Sequence, residues 1–261
     1  MTVHEPQMNF ATQLRTGRAP VVPKEVVDLL EAVGPSPDAE AKNAATVAFL
    51  ADLAGDGPAL ELAIGAGRIG IPLAATGIRV DGIENSPAQV DKLRSKPGGD
   101  QISVTLDSLP DIAVDGTYSL IFLIQNTLPN LLTQENQVRC FENAAAHLTD
   151  DGVFVVETFT PAWLYQLPDD QYARTESIDA GYVALDTARH DPVRQALMEN
   201  HVILMRDRVM LFPIVTRYVW PSEMDLMARL AGLRLKERWG GWKREPFTSD
   251  PRGNCVSVYG R

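Results

Sequence analysis

The stretch "LELAIGAGRIGIPLA", residues 60–74, decides how the rest of this sequence is interpreted. Within it, "GAGRIG" (65–70) fits the pattern G-x-G-x-x-G, in which glycines between a strand and a helix let backbone N–H groups approach a ligand. The pattern alone is weak, but here an apolar run precedes it and a helical pattern follows. The stretch therefore predicts a strand, a ligand-binding turn and a helix.

The next apolar run, "IRVDGI" (78–83), ends at Glu84, which would close a second strand. In an open parallel sheet this carboxylate lies at the carboxyl edge beside the glycine turn, where it can accept hydrogen bonds from both hydroxyls of a ribose. The competing interpretation is a solvated turn residue. The short spacing from Gly65 to Glu84 also predicts a short first helix.

Glu61 lies inside the first strand, where an apolar side chain is expected. A carboxylate there suits a ligand that brings an ammonium or another cation to the turn; bracing of the loop or capping of the helix is an equal alternative. The chain builds no second mononucleotide-binding half after its fifth strand. A ligand with one adenosine therefore fits better than a dinucleotide.

Apolar strands alternate with amphipathic helices along the first part of the chain, which predicts a doubly wound, mostly parallel sheet covered on both faces. Ser86 and Thr133 are predicted helix caps, and Gln89 completes a capping box with Ser86. The predicted strands are 59–63, 78–83, 102–106, 118–124 and 152–159, and the predicted helices are 23–33, 38–54, 68–76, 86–94 and 134–147.

From residue 161 the pattern changes to consecutive antiparallel strands with turns near 179–181, 191–192 and 206–207. A helix after Trp220, with a capping box at Ser222 and Asp225 and a stop at Gly232, precedes two strands that form an antiparallel pair. We expect an N-terminal helical cap (1–55), a core (56–160), an inserted antiparallel lid (161–219) and a segment that completes the core sheet (220–261).

Composition narrows the classes of partner. The chain has 261 residues and a net charge of -10, with 24 basic against 34 acidic side chains, which disfavours a nucleic-acid partner. Cys140 and Cys255 match neither a metal-site spacing nor a disulfide framework, and no segment has the roughly 20 apolar residues of a membrane span. We expect a cytoplasmic protein that binds a small molecule, with no metal; a homo-oligomer stays open.

The glycine stretch resembles the first motif of class I S-adenosylmethionine-dependent methyltransferases, written E/D-x-G-x-G-x-G. Glu61, Gly65 and Gly67 match its acid and its second and third glycines, while Ala63 replaces the first glycine. We expect Ala63 to keep a negative φ and so to alter the loop slightly. The resemblance, over about 55–160 and the closing segment, implies a Rossmann-like α/β fold and S-adenosyl-L-methionine as the cofactor.

The resemblance also implies where the cofactor is held. Glu84 would bind the ribose, Asp107 would lie beside the adenine amino group, and Gln125 would lie near the methionine end. The full set of implied cofactor contacts is Glu61, Ala63, Gly65, Gly67, Glu84, Asn85, Asp107, Ser108, Leu109, Gln125 and Asn126.

The methyl acceptor is predicted to bind under the inserted lid. The sequence after strand four, "QNTLPNL" (125–131), lacks the Asn/Asp-Pro-Pro-Tyr motif of enzymes that methylate amino groups of DNA or of protein glutamine. Aromatic and polar side chains suit an organic ligand, and the candidates are Trp163, Tyr182, Arg217 and Trp242. Candidate catalytic residues are His190, His201 and Tyr218, although alignment of the reactants alone can accelerate methyl transfer.

For each of these histidines a structural role is the preferred interpretation, and Asp191 would orient His190 only if the chain bends there. The predicted function is methyl transfer to an N or O atom of a small organic molecule, in specialised metabolism. The alternatives are a nicotinamide- or flavin-dependent oxidoreductase and a catalytically silent cofactor-binding protein.

Overall fold

The structure, a computed structural model, describes residues 10, 13, 17, 21, 24, 25, 27, 28, 37–178 and 181–261. Its main sheet has seven strands in the order β3-β2-β1-β4-β5-β11-β10, all parallel except β11. The strands are β1 (Ala59–Leu62), β2 (Val80–Glu84), β3 (Ser103–Leu106), β4 (Tyr118–Leu123), β5 (Leu148–Phe159), β10 (Arg234–Trp239) and β11 (Asn254–Gly260). The predicted Rossmann-like sheet with an antiparallel terminal strand is confirmed.

Helices cover both faces of this sheet. They are α1 (Pro37–Ala54), α2 (Gly70–Ala74), α3 (Pro87–Arg94), α4 (Gln134–Ala146) and α5 (Pro221–Leu230), with 3-10 turns at Gly99–Gln101, Leu128–Asn130, Pro161–Gln166 and Pro168–Asp170. The first crossover helix, α2, has only five residues, as the short spacing before β2 predicts. Of the predicted helix 23–33, residues 24, 25, 27 and 28 are helical and the others lie outside the described residues.

The apolar core forms two layers, one on each face of the sheet. On one face Phe49 of α1 packs with buried side chains of β4 and β5, including Leu120 and Val155. On the other face Phe141 of α4 packs edge-on against Tyr259, with ring centroids 5.5 Å apart. Because both faces are buried, the strands read as continuous apolar runs, and a charged residue within one of them is unusual.

Two predicted helix caps are confirmed. The side chain of Ser86 accepts a hydrogen bond from the backbone of Gln89 at 3.4 Å, and Thr133 caps α4 in the same way. Gly232, with a φ of 76°, follows the end of α5 as predicted. The reciprocal half of the Ser86 capping box is wrong: the Ser86 N–H donates to Glu84 at 2.8 Å.

The capping box predicted at Ser222 is also wrong. The helix α5 begins one residue earlier, at Pro221, and no side chain caps it. Proline is favoured at a first helical position because its fixed φ suits the helix and its missing N–H needs no partner. Asp225 instead pairs with Arg238 at 2.6 Å and accepts the hydroxyl of Tyr259 at 3.0 Å.

The insertion after β5 forms a separate antiparallel sheet, which we call the lid. Its strands are β6 (Gln171–Ile178), β7 (Tyr182–Asp191), β8 (Ala196–Met205) and β9 (Val209–Arg217), paired in that order. The antiparallel insertion is thus confirmed, although its first residues form the two 3-10 turns between 161 and 170. Over the described ranges, no helix is both long and apolar enough to cross a membrane.

The N-terminal part of the chain reaches the lid. The side-chain amide of Gln13 donates to the carbonyl of Pro213 at 2.9 Å, and its oxygen accepts the N–H of Val215 at 2.8 Å. Because Gln13 is buried and uses both ends of its amide, it pairs with edge strand β9 much as a neighbouring strand would. Gln13 therefore helps to fix one side of the lid.

Ala63 departs from the conformation expected of it. Its φ is +58°, in the left-handed region, so the expectation of a negative φ is wrong. The backbone must turn here because Ile64 N–H already donates to the carbonyl of Ile83 at 2.9 Å, which ties the chain leaving β1 to β2. A left-handed alanine costs about 1–2 kcal/mol, and the loop keeps the shape that glycine would give it.

Replacing Ala63 with glycine should therefore stabilise the protein. We expect Ala63→Gly to raise the free energy of unfolding by about 1 kcal/mol, since relief of the left-handed strain exceeds the added entropy of the unfolded chain. Urea denaturation measures this difference. The control is Ala59→Gly, in the extended part of β1, which should destabilise the protein; equal effects at the two positions would contradict the explanation.

Candidate functional site

The carboxyl ends of the parallel strands lie along one edge of the sheet and place the predicted cofactor residues in a row. In the order β3-β2-β1-β4, these strands lead into Asp107, Glu84, the glycine turn and Gln125. Three strand spacings, about 14 Å, separate the first position from the last. The order reverses between β1 and β4, which is the switch point where open sheets of this kind bind ligands.

The three glycines of the turn have different roles. A Cβ on Gly65 (φ +56°) would meet no atom nearer than Gln89 Nε2 at 4.0 Å, so the space beside it is open. A Cβ on Gly67 would lie 2.8 Å from Ile71, and one on Gly70 would lie 2.7 Å from Glu61. Gly65 therefore leaves room for a ligand, whereas Gly67 and Gly70 permit close packing of α2.

Glu84 braces the glycine turn from the neighbouring strand. One carboxylate oxygen accepts the N–H of Gly65 at 2.9 Å and the other accepts the N–H of Ser86 at 2.8 Å. With an exposed fraction of 7%, Glu84 is not a solvated turn residue. A carboxylate has about four acceptor positions, so each oxygen can still accept one hydroxyl of a ribose.

Glu61 is buried beneath the same turn. Burial raises the pKa of its carboxyl well above the usual range, while a hydrogen bond from the Gly70 backbone and the charge of Arg68 act in the opposite direction. Its Oε2 atom has no hydrogen-bond partner. The side chain thus lies against the start of α2 and has one oxygen that a cationic group of a ligand would favour.

The predicted adenine side of the site is formed around the end of β3. The Asp107 N–H donates to the carbonyl of Glu84 at 3.0 Å, and the Ser108 N–H donates to the Asp107 carboxylate at 2.7 Å. Leu109 is partly buried against the core, and Asn85 is exposed beside Glu84. These contacts place Asp107 next to the ribose-binding candidate.

Past the switch point, Gln125 and Asn126 both have a φ of +58°. The Gln125 N–H donates to Glu157 at 2.7 Å, and its side-chain oxygen accepts a hydrogen bond from Arg68 of the glycine turn. The Oδ1 atom of Asn126 is buried without a hydrogen-bond partner. The loop after β4 is thus held from both sides and carries one buried acceptor without a partner.

Sequence reasoning missed Glu157. It lies in β5 with an exposed fraction of 3%, at the same sheet edge as the other site residues. The signal was available, because Glu157 interrupts the apolar run "GVFVVETF" just as Glu61 interrupts the first strand. The two residues on either side of it are apolar or β-branched, so the segment is predicted simply as a buried strand.

Two of the catalytic candidates are buried together at the root of the lid. His190 Nε2 lies 2.8 Å from the Tyr218 hydroxyl, which donates to Tyr165 at 2.9 Å. Burial, and then the contact with Tyr165, raises the pKa of Tyr218. Asp191 does not orient His190, because its carboxylate accepts backbone and side-chain hydrogen bonds from Arg194.

The third candidate, His201, lies further along the lid and is partly exposed. Its Nδ1 atom lies 2.5 Å from Asp186, and its ring stacks on Phe212 with centroids 6.2 Å apart. On the same face, Glu199 accepts the hydroxyl of Tyr172 at 2.8 Å, and burial raises the pKa of the Glu199 carboxyl. Two carboxylates therefore flank a histidine that has one ring nitrogen available.

The structure does not bring the four predicted acceptor-binding residues together. Trp163 packs at the lid root, whereas Tyr182 pairs with Met205 at the far end of the lid. Arg217 is bound to Glu223 at 2.8 Å. Trp242 packs against α1 and donates to Glu157 at 3.1 Å. Aromatic and cationic side chains of this kind can bind an organic acceptor, but the contacts of these four residues are mostly with other parts of the chain.

Comparison with known proteins identifies the family. Residues 59–152 match the family described as a methyltransferase domain. The CcbJ methyltransferase from Streptomyces caelestis is 36% identical, over 87% of this chain and 91% of that chain, with a TM-score of 0.80. The chain belongs to the class I S-adenosylmethionine-dependent methyltransferases. The comparison therefore favours this function over the oxidoreductase alternative.

Two further proteins resemble this methyltransferase. A cypemycin N-terminal methyltransferase from a Streptomyces species is 24% identical, over 76% of this chain and 80% of that protein. The sugar N-methyltransferase KedS8 from Streptoalloteichus covers 100% of this chain and 99% of its own, with 16% identity and a TM-score of 0.67. At that identity the last similarity shows the fold alone.

The cofactor of this methyltransferase is S-adenosyl-L-methionine, and the residues at the sheet edge fit it. The space beside Gly65 admits a ligand, Glu84 retains acceptor positions for a diol, and Asn126 Oδ1 is a buried acceptor without a partner. Glu61 adds a carboxylate below the turn. Together these groups suit a ligand with a ribose at one end and an ammonium at the other.

A methyl group added at Gly65 should weaken cofactor binding. Gly65→Ala places a Cβ in the open space beside the turn, and we expect at least about tenfold weaker binding of S-adenosylmethionine by calorimetry. The matched control is Gly55→Ala, which has the same φ of +56° and open space but lies between α1 and β1. Both variants should lose about 1–2 kcal/mol of stability; equal losses of binding would contradict the placement.

The raised pKa of Glu61 has a consequence for stability. The folded protein retains the Glu61 proton above its ordinary pKa of 4.5, where the unfolded chain has lost it, so stability falls as pH rises through this window. Glu61→Gln should remove that fall in the cofactor-free protein, by about 1.4 kcal/mol for every tenfold difference in proton affinity. Urea denaturation from pH 4 to pH 8 tests this, and parallel curves for the two proteins would contradict it.

Proposed function

We propose that this methyltransferase transfers a methyl group to a nitrogen atom of a small organic amine. The observation that carries the proposal is the position of the lid. It is inserted directly after β5, and its strand β9 packs against the 3-10 turn Leu128–Asn130, which follows Asn126. A sheet packed at this end of the site suits the enclosure of a small molecule better than the binding of a macromolecular surface.

Two features favour an amine. The lid carries the carboxylates of Asp186, which is buried, and Glu199, which is partly buried, on one face, and the chain has a net charge of -10; both features favour a cationic ligand. The curated relative is named an N-terminal methyltransferase, and a protein with the same fold is named a sugar N-methyltransferase. Both names describe methylation of nitrogen.

Bound S-adenosylmethionine supplies a methyl group on a positively charged sulfur. The protein's part is to align the acceptor nitrogen with that methyl group and to exclude water, and the lid, whose strand β9 is held by Gln13, is suited to both. An ammonium has no lone pair, so the acceptor must also lose a proton. His201 Nε2 is suited to take it, because Asp186 binds the Nδ1 atom and so orients the ring.

The proposal is tested with matched pairs of acceptors. Purified enzyme is incubated with S-adenosylmethionine and either an aminosugar, an amino-terminal peptide or the hydroxyl analogue of each, and the products are identified by mass spectrometry. We expect methylation of the amines only. Methylation of the hydroxyl analogues alone would overturn the choice of nitrogen, and cofactor binding without turnover of any acceptor would favour the catalytically silent alternative.

The proton-accepting role predicts different effects for the two histidines. His201→Asn should lower kcat for an amine acceptor by about a hundredfold with little change in cofactor affinity. His190→Asn should mainly lower the melting temperature, since His190 is buried against Tyr218. Steady-state kinetics and thermal denaturation of the two variants measure this; equal kcat values for His201→Asn and the parent would remove His201 from the mechanism.

A further inference from the structure

The loop after β4 has an unfavourable backbone conformation, which contacts with surrounding residues must stabilise. Gln125 and Asn126 are consecutive non-glycine residues with a φ of +58°, and each left-handed residue costs about 1–2 kcal/mol. Such conformations persist only where surrounding contacts fix them. The contacts here are the Gln125 N–H to Glu157 at 2.7 Å and the Arg68 side chain to the Gln125 amide oxygen.

Glu157 is itself fixed by donors from two other segments. Its Oε1 atom accepts the ammonium of Lys42 in α1 at 2.8 Å and the indole N–H of Trp242 at 3.1 Å. Its Oε2 atom accepts the Gln125 N–H. A carboxylate with an exposed fraction of 3% requires such partners, because an unpaired buried charge is strongly unfavourable. The position of the Gln125 backbone is therefore set by α1 and by the loop after β10.

On the other side of the switch point, a second glutamate holds the loop of a neighbouring strand in the same way. Glu84 ends β2 and accepts the N–H of Gly65, in the loop after the neighbouring strand β1, at 2.9 Å. Glu157, in β5, accepts the N–H of Gln125, in the loop after the neighbouring strand β4. Each loop at the cofactor edge is thus held by a glutamate of the next strand.

We propose that Glu157 is a positioning residue for the methionine end of the cofactor. By fixing the Gln125 backbone, it directs the buried, unpartnered Oδ1 atom of Asn126 toward the ammonium of S-adenosylmethionine. The strand order supports this assignment: Glu84 places the ribose over β2, so the amino-acid end extends across β1 to β4. The proposal rests on the cofactor and not on the identity of the acceptor.

Replacing Glu157 with glutamine tests whether the side chain positions the Gln125 backbone or only fills space in the core. Glu157→Gln keeps the size of the side chain but has one oxygen, so it cannot accept hydrogen bonds both from Gln125 and from the Lys42 and Trp242 pair. A second variant, Lys42→Met with Glu157→Met, removes the whole ion pair and leaves no buried charge. The control is Glu237→Gln, the same substitution at a glutamate of the edge strand β10, where the carboxylate accepts the indole N–H of Trp239 at 2.8 Å.

The probes are S-adenosylhomocysteine and 5′-methylthioadenosine, which share the adenosine and thioether but differ in the amino-acid end. Isothermal titration calorimetry with the folded full-length protein should show binding of S-adenosylhomocysteine weakened about 10- to 100-fold in both Glu157 variants. Binding of 5′-methylthioadenosine should be unchanged within a factor of about three, and Glu237→Gln should weaken neither ligand by more than that.

Gln125→Gly supplies a rescue, because glycine adopts a positive φ without help. Added to Glu157→Gln, it should restore at least part of the affinity for S-adenosylhomocysteine. The proposal is overturned if both ligands weaken in parallel, which indicates a merely structural role, or if neither weakens. Failure of the amine proposal leaves these binding results unaffected, since no acceptor is present in the experiment.

Discussion

The site depends on one constraint: the backbone must turn sharply at the carboxyl ends of β1 and β4, and buried carboxylates hold those turns. Glu84 accepts the Gly65 N–H, and Glu157 accepts the Gln125 N–H. A charge-assisted hydrogen bond from a fixed backbone is stronger than a neutral one, so each contact stabilises a conformation that the chain alone avoids. The space for the cofactor exists because these turns are held open.

The acceptor side is built differently. The lid is a sheet of its own, attached to the core through a root in which His190, Tyr218 and Tyr165 form a hydrogen-bonded group. Arg217 and Glu223 join the end of β9 to α5 at 2.8 Å. These contacts fix the base of the lid, whereas His201 lies further along the lid and is partly exposed.

Local patterns were enough to predict most of the fold. The spacing of glycines, the apolar runs and the helix caps all depend on residues that are close in sequence. The interactions that they predict, such as the Ser86 cap, also form in the folded protein. Errors arose where a residue outside the predicted capping box or loop supplied the hydrogen-bond partner. Ser86 gives its N–H to Glu84, and Asp225 pairs with Arg238 of β10, although both were assigned to local capping boxes. Ala63 turns left-handed because β2 fixes the residue that follows it.

By itself, the sequence determined the Rossmann-like sheet, the cofactor edge and the antiparallel lid, because strand order and loop position follow from periodicity and turn chemistry. Tertiary structure alone decided what the polar side chains at Glu157, Trp242 and Arg217 contact. Glu157 accepts hydrogen bonds from α1, from the loop after β4 and from the loop after β10, and only the folded structure brings these three segments together. Trp242 and Arg217, with chemistry suited to an acceptor, found partners within the chain, since a buried polar group binds whichever donor or acceptor the fold places nearest.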